Sequence, residues 1–130
     1  MTMTPRELNH ERLDVYKAAI TFLPIADEIA ASLPKGRAYL ADQLRRAATS
    51  ITLNIAEGAG EFAAGDKARF YRMARRSGTE CAAVLDICAQ LGFGSVQTVT
   101  AAKTLLHRIV SMLTVLVMKV SGALTGTGSD

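Results

Sequence analysis

Arg69, Arg72 and Arg76 recur at intervals of three and four residues, with Arg75 beside them and Glu80 one turn further on. On a helix this spacing lines one stripe, because residues three and four apart sit above one another. Such a stripe suits phosphate. Each guanidinium is a planar fork donating two parallel hydrogen bonds, and three in register can follow a phosphate backbone. Lys67, Arg45 and Arg37 extend the cationic set. The competing chemistry is pairing, in which these arginines meet carboxylates of an adjacent helix or subunit. Arg76 lies closest to the expected core and is the strongest candidate for that role.

A second polar stripe, Gln43, Arg46, Ser50, Asn54 and Glu57, lies in the run QLRRAATSITLNIAEGAG. Both stripes flank an apolar face rather than oppose it. That position predicts polar groups half-buried between helices or subunits, where each needs a partner. Pairing of Glu57 or Glu80 with Arg46 or Arg76 is the expected outcome, and such a pair can fix helix register.

Other chemistry finds little support. Glu57 and Glu80 could form a catalytic pair or ligate a metal, but a di-iron bundle draws histidines from two of its helices. Here there are two in all, His10 near the start and His107 beside Arg108. No metal or cofactor is expected. The glycines of EGAGEFAAG lack the Gly-Lys-Ser/Thr ending of a phosphate loop and follow no strand, so a helix-ending turn explains them. Ser50, Ser77 and Thr79 have no histidine base at a plausible spacing, and no catalytic residue stands out. Cys81 and Cys88 are two helical turns apart, about 10 Å, too far for a disulfide within one helix. Both fall on the apolar side and read as small core residues.

The elements that must position these residues are helical. The chain has 130 residues, 49% hydrophobic but only 5% aromatic and without Trp. Its core must therefore be aliphatic, which suits helices packed on helices in one domain. Net charge is +3, distributed unevenly: residues 1–33 carry a net −2, residues 34–80 a net +4 and residues 81–130 a net +1. The cationic middle permits contact with nucleic acid.

Four helices read out. The first covers residues 10–33 with a buried stripe of Leu13, Tyr16, Ile20, Leu23, Ile29 and Leu33, and Pro24 predicts a kink or break within it. The second, residues 38–57, buries Leu40, Leu44, Ala47, Ala48, Ile51 and Ile55. The third is N-capped by Asp66 and runs to Leu91, with core positions Phe70, Met73, Ala74, Ser77, Cys81, Val84, Leu85, Cys88 and Leu91. The fourth starts after Ser95 and spans residues 96–120. Its second half is apolar almost all round, with Met112, Val115 and Met118 outside the main band. One bundle face does not cover that much surface, which predicts a second subunit over it. The domain expected is an antiparallel up-down-up-down four-helix bundle over residues 10–121, between a flexible segment 1–9 and a disordered tail 122–130. The apolar stretch 109–118 is short of the ~20 residues a membrane span needs, and the N-terminus has no apolar signal region. A soluble, cytoplasmic chain with no membrane contact is the expectation.

The quoted residues also carry a family resemblance. The pattern Gln43-x-Arg45-Arg46-Ala47-x-x-Ser50-Ile51-x-x-Asn54-Ile55-Ala56-Glu57-Gly58-x-Gly60 resembles the signature of a bacterial four-helix-bundle family. That family was first noticed as products of intervening sequences in 23S ribosomal RNA genes. Leu13-x-Val15-Tyr16-Lys17-Ala18 is similar to its first-helix pattern, in which Trp often replaces Tyr16, and Phe70, Ala74, Arg75, Ser77 and Glu80 to its third. Arg76 stands where the family commonly has glycine. The resemblance implies a four-helix bundle assembled as a homopentamer. It also suggests a distant likeness to the accessory protein of diversity-generating retroelements, a pentamer that binds RNA and a reverse transcriptase. On this reading the protein is a non-enzymatic oligomeric adaptor that binds nucleic acid, RNA first, through Arg45, Lys67, Arg69, Arg72 and Arg75. The alternative is a protein-interaction scaffold whose arginines pair internally.

Overall fold

A computed structural model describes residues 9–125 as four α-helices preceded by a short 3-10 turn at Asn9–Arg12. The helices are α1 (Asp14–Ser32), α2 (Ala38–Gly60), α3 (Ala64–Leu91) and α4 (Val96–Thr125). No strand occurs among the described residues. The expected flexible segment 1–9 lies outside them except for Asn9, as do residues 126–130 of the expected tail. Packing is cyclic: α2 contacts α1 and α3, and α4 contacts α3 and α1. The core is aliphatic and alanine-rich, with Phe22, Ile29, Leu44, Ile51, Ile55, Leu85, Leu106, Ile109 and Leu113 among its largest fully buried side chains.

Local chemistry sets the ends. Gly92 takes φ 74°, its N–H reaches Ala89 O at 3.3 Å, and Phe93 N–H reaches Cys88 O at 2.8 Å. This left-handed closure satisfies carbonyls that α3 would otherwise leave unpaired, and glycine adopts it without a Cβ clash. Ser95 caps α4 as expected, its Oγ accepting from Thr98 N–H at 3.0 Å. Several boundaries differ from expectation, and α2 runs on to Gly60 instead of ending at residue 57. Residues 9–12 form the 3-10 turn instead of the first turn of α1. Asp66 sits inside the first turn of α3, where its charge favours the helix dipole, while Ala63 occupies the cap position with no side-chain bond. Helix α4 continues past residue 120 to Thr125, through residues assigned to the tail.

Helix α1 corrects two further expectations. It passes through Pro24 as one helix from Asp14 to Ser32, so two shorter helices do not meet there. Its buried face is Val15, Ala18, Ala19, Phe22, Ala26, Ile29 and Ala30. Of the stripe expected from sequence only Ile29 is fully buried; Leu13, Tyr16, Leu23 and Leu33 flank the core and Ile20 is 42% exposed. Alanines win the central positions because they let the neighbouring helices approach closely. A similar one-residue shift occurs early in α3, where Tyr71 and Gly78 are buried instead of Phe70 and Ser77, and Met73 and Leu91 are exposed. The core expected for α2 is buried in full.

Helix α4 is long and apolar enough, by length and composition alone, to cross a membrane. The ten-residue stretch 109–118 understated this because serine and threonine interrupt it. Its residues Val99, Ala102, Leu106, Ile109, Leu113 and Val117 are nonetheless buried in the bundle core, as an amphipathic core helix requires. On its other side Val115 is 49% and Met118 67% exposed. Beside them a groove between α1 and α4 is lined by Leu13, Val15, Met112 and Leu116.

Candidate nucleic-acid interface

Helices α2 and α3 are held close by small groups. An ideal Cβ on Gly58 would lie 2.7 Å from the Tyr71 ring, whereas one on Gly78 would lie 2.9 Å from a Val110 methyl and so reports the approach of α3 to α4. Further along the seam Ser77 donates to Ser50 Oγ at 2.8 Å, and Asn54 Nδ2 donates to Ser50 Oγ at 3.0 Å and Ser50 O at 2.9 Å. Ser50, Asn54 and Ser77 thus form a half-buried polar cluster between the helices, which Ser77 joins in place of the core position expected for it, and their bonds offset the cost of partial burial.

The longer polar residues behave differently. Gln43, Arg46, Glu57, Arg72, Arg76 and Glu80 all point into solvent. Among the described residues no ion pair joins Glu57 or Glu80 to Arg46 or Arg76, contrary to the expected pairing. Close contact of Ser50 with Ser77 and of Gly58 with Tyr71 leaves no room at the seam for long side chains, so they splay along its flanks. Arg76 is among them and takes no part in the close packing of the seam.

The expected phosphate-binding residues divide into two groups. Lys67 is turned inward: its Nζ donates to Gly58 O at 3.2 Å and Ala59 O at 3.1 Å, satisfying carbonyls at the end of α2. Arg45 pairs with Asp27 at 2.9 Å on the α1 side. Arg75 is half-buried. Arg69 lies 3.7 Å from Asp66 and over the Phe70 ring at 4.5 Å, still largely exposed. Arg72 joins Arg46 and Arg76 as exposed cations with no carboxylate partner among the described residues. Between the flanks Leu53 is 60% and Met73 41% exposed. The face is cationic and apolar at once, with Glu57 and Glu80 at its margins. A shallow groove along α2 is lined by Arg45, Arg46, Thr49, Ser50, Leu53 and Asn54.

The thiols carry no reactivity. Cys81 is fully buried, and burial together with the neighbouring Glu80 charge pushes its pKa up to about 12. Burial also raises Cys88. The thiolate, which is the nucleophile, is disfavoured at both. No group of three or more His, Cys, Asp or Glu side chains that could hold a metal occurs among the described residues.

The family model described as 23S rRNA-intervening sequence protein matches residues 11–115. The chain belongs to the 23S rRNA-intervening sequence protein family. That match takes in α1, α2 and α3 and the first two-thirds of α4, so the seam and its flanking arginines all lie within the family region. A comparison with curated proteins finds no match.

Sequence reasoning missed one cluster. Arg37 lies over the Phe93 ring at 5.2 Å and donates to the Tyr39 hydroxyl at 2.8 Å. Arg37 and Phe93 come from the α1–α2 and α3–α4 connections, which are distant in sequence, and Tyr39 from the first turn of α2. The available signal was an arginine two residues from Tyr39 at one turn and an isolated phenylalanine, Phe93, between glycines at the other.

Proposed function

We propose that the protein is a non-enzymatic, oligomeric adaptor that binds nucleic acid, with structured RNA the preferred class, through the flanks of the α2–α3 seam. The observation that carries this reading is the set Arg46, Arg72 and Arg76, exposed and with no carboxylate partner among the described residues, with Arg69 alongside. Arginines in this state present their forks to solvent and are suited to phosphate. The helices alternate up and down. Gly58 opposite Tyr71 and Ser50 opposite Ser77 run in opposite senses along the two chains, which supports that arrangement, as do the short connections. A bend in α1 at Pro24 follows from the missing N–H. Self-association covers Val115 and Met118 on α4; five copies is the number that the family resemblance suggests, and a ring would repeat the arginine face and raise avidity. The adaptor acts in the cytoplasm without membrane contact, and by distant analogy a reverse transcriptase is one class of protein partner.

A second reading, a scaffold for another protein, is favoured by exposed Leu53 and Met73 in the middle of the same face. Fluorescence anisotropy with a labelled RNA hairpin separates the two. The adaptor binds with an affinity that falls steeply as salt rises, and Arg72→Glu with Arg76→Glu abolishes binding. A scaffold shows no salt-dependent RNA binding.

A further inference from the structure

We infer that the end of the bundle where the α1–α2 and α3–α4 connections meet holds an unpaired nucleotide of the bound RNA; this rests on the nucleic-acid reading above and names what that partner must contain. The two connections are in contact: Arg37 lies over Phe93, and Gly94 sits where an added Cβ would be 3.6 Å from Ser32 Oγ. Neither connection, residues 33–37 or 92–95, contains a carboxylate. Beside them is a groove whose floor is Ala30, Ala31, Leu33 and Ala41 and whose cations are Lys35, Arg37 and Arg45. Among the described residues only Arg45 of these three has an acidic partner, Asp27.

The arrangement suits a nucleotide rather than a bare anion. Arg37 is pinned on two sides, by the Phe93 ring and by the Tyr39 hydroxyl, so little side-chain freedom is lost when it meets a phosphate. Lys35 adds a second charge at the same mouth. Tyr39 is 57% exposed, with its hydroxyl engaged by Arg37. An exposed aromatic ring beside paired cations is the recurring platform on which an unpaired base stacks while its phosphate is held. A duplex has no free base to offer it, so this end reads single-stranded segments, whereas the seam arginines grip backbone of either form.

The test compares two labelled RNA duplexes, each annealed from two strands, by anisotropy, one blunt at both ends and one with a four-nucleotide single-stranded tail. The tailed duplex is expected to bind about tenfold more tightly, the scale of stacking one base on an aromatic ring. Tyr39→Ala removes that advantage and leaves blunt binding unchanged; Arg37→Ala removes it too and, with one cation fewer, also lowers blunt binding; Arg72→Glu with Arg76→Glu weakens both RNAs. Thermal melts of the variants confirm that the bundle is intact. Equal binding of both duplexes by the natural chain, or a tail advantage that survives both substitutions, overturns the site and leaves the RNA reading standing. Failure of both duplexes to bind at low salt overturns that reading and the site with it.

Discussion

Ser77 donates its hydroxyl to Ser50 Oγ at 2.8 Å across the α2–α3 seam, and Ser50 Oγ also accepts from Asn54 at 3.0 Å. One oxygen thus ties two helices and two positions of the family signature together. Ser77→Ala removes the donor and leaves Ser50 half-satisfied, with an expected loss of about 0.5–1.5 kcal/mol in urea unfolding. A double-mutant cycle with Asn54→Ala is expected to show coupling, since both donors share one acceptor. Additive losses would remove the seam cluster from the account.

The glycines of the signature separate by their surroundings. Gly58→Ala places a methyl group against the buried Tyr71 ring at 2.7 Å. Overpacking of about 1–3 kcal/mol outweighs the gain in helix propensity of up to about 1 kcal/mol, so a net loss is expected. Gly60→Ala meets nothing within 4 Å and is expected to be neutral or stabilising by a few tenths of a kcal/mol. Melting temperatures of the two variants, measured side by side, give the comparison.

These two glycines also show how far the sequence was legible. Gly58 and Gly60 read as helix-ending glycines, and α2 does end there, but only packing reveals that Gly58 makes room for Tyr71. The α2 core was readable because large apolar residues recur at helical spacing with polar residues on the other side. On α1 the large residues Leu13, Tyr16, Ile20 and Leu23 form a plausible stripe of their own, and the true core is the alanine-rich face around Phe22. Periodicity weighted by side-chain size misplaces such a helix, since close approach rewards small residues. At the interface the stripe of arginines was visible, but their fates were not. Whether Lys67 turns inward or Arg72 outward depends on which neighbouring carbonyls and carboxylates lie in reach.

Lys67 therefore gives a discriminating substitution. Lys67→Met keeps the aliphatic stem and removes the bonds to Gly58 O and Ala59 O. The expected cost is about 0.5–1.5 kcal/mol of stability, read by urea unfolding, with little change in RNA affinity. A large loss of affinity at unchanged stability would return Lys67 to the binding set.

The pH dependence of stability has a predictable sign at the alkaline end. The thiol of Cys81 ionises ordinarily near 9.0 but only at about 12 in the fold. Between these values the unfolded chain has released a proton that the folded chain retains. Stability contributed by this group is intact below about pH 9 and falls as pH rises toward 12, by up to about 1.4 kcal/mol per pH unit. Burial gives Cys88 the same sign. Urea midpoints measured from pH 7 upward are expected to decline in the natural chain and less steeply in Cys81→Ala with Cys88→Ala. Native thiols are likewise expected to resist a disulfide reagent until the chain is unfolded.

Two proposed properties, the joining of copies through exposed α4 side chains and the binding of nucleic acid by the arginine flanks, are read by one experiment. It is light scattering of freshly purified protein at low salt, with absorbance recorded at the nucleic-acid and protein maxima. A mass several times 13.9 kDa is expected, with excess nucleic-acid absorbance that a high-salt wash removes and that Arg72→Glu with Arg76→Glu never acquires. A folded single subunit of 13.9 kDa free of nucleic acid would contradict both.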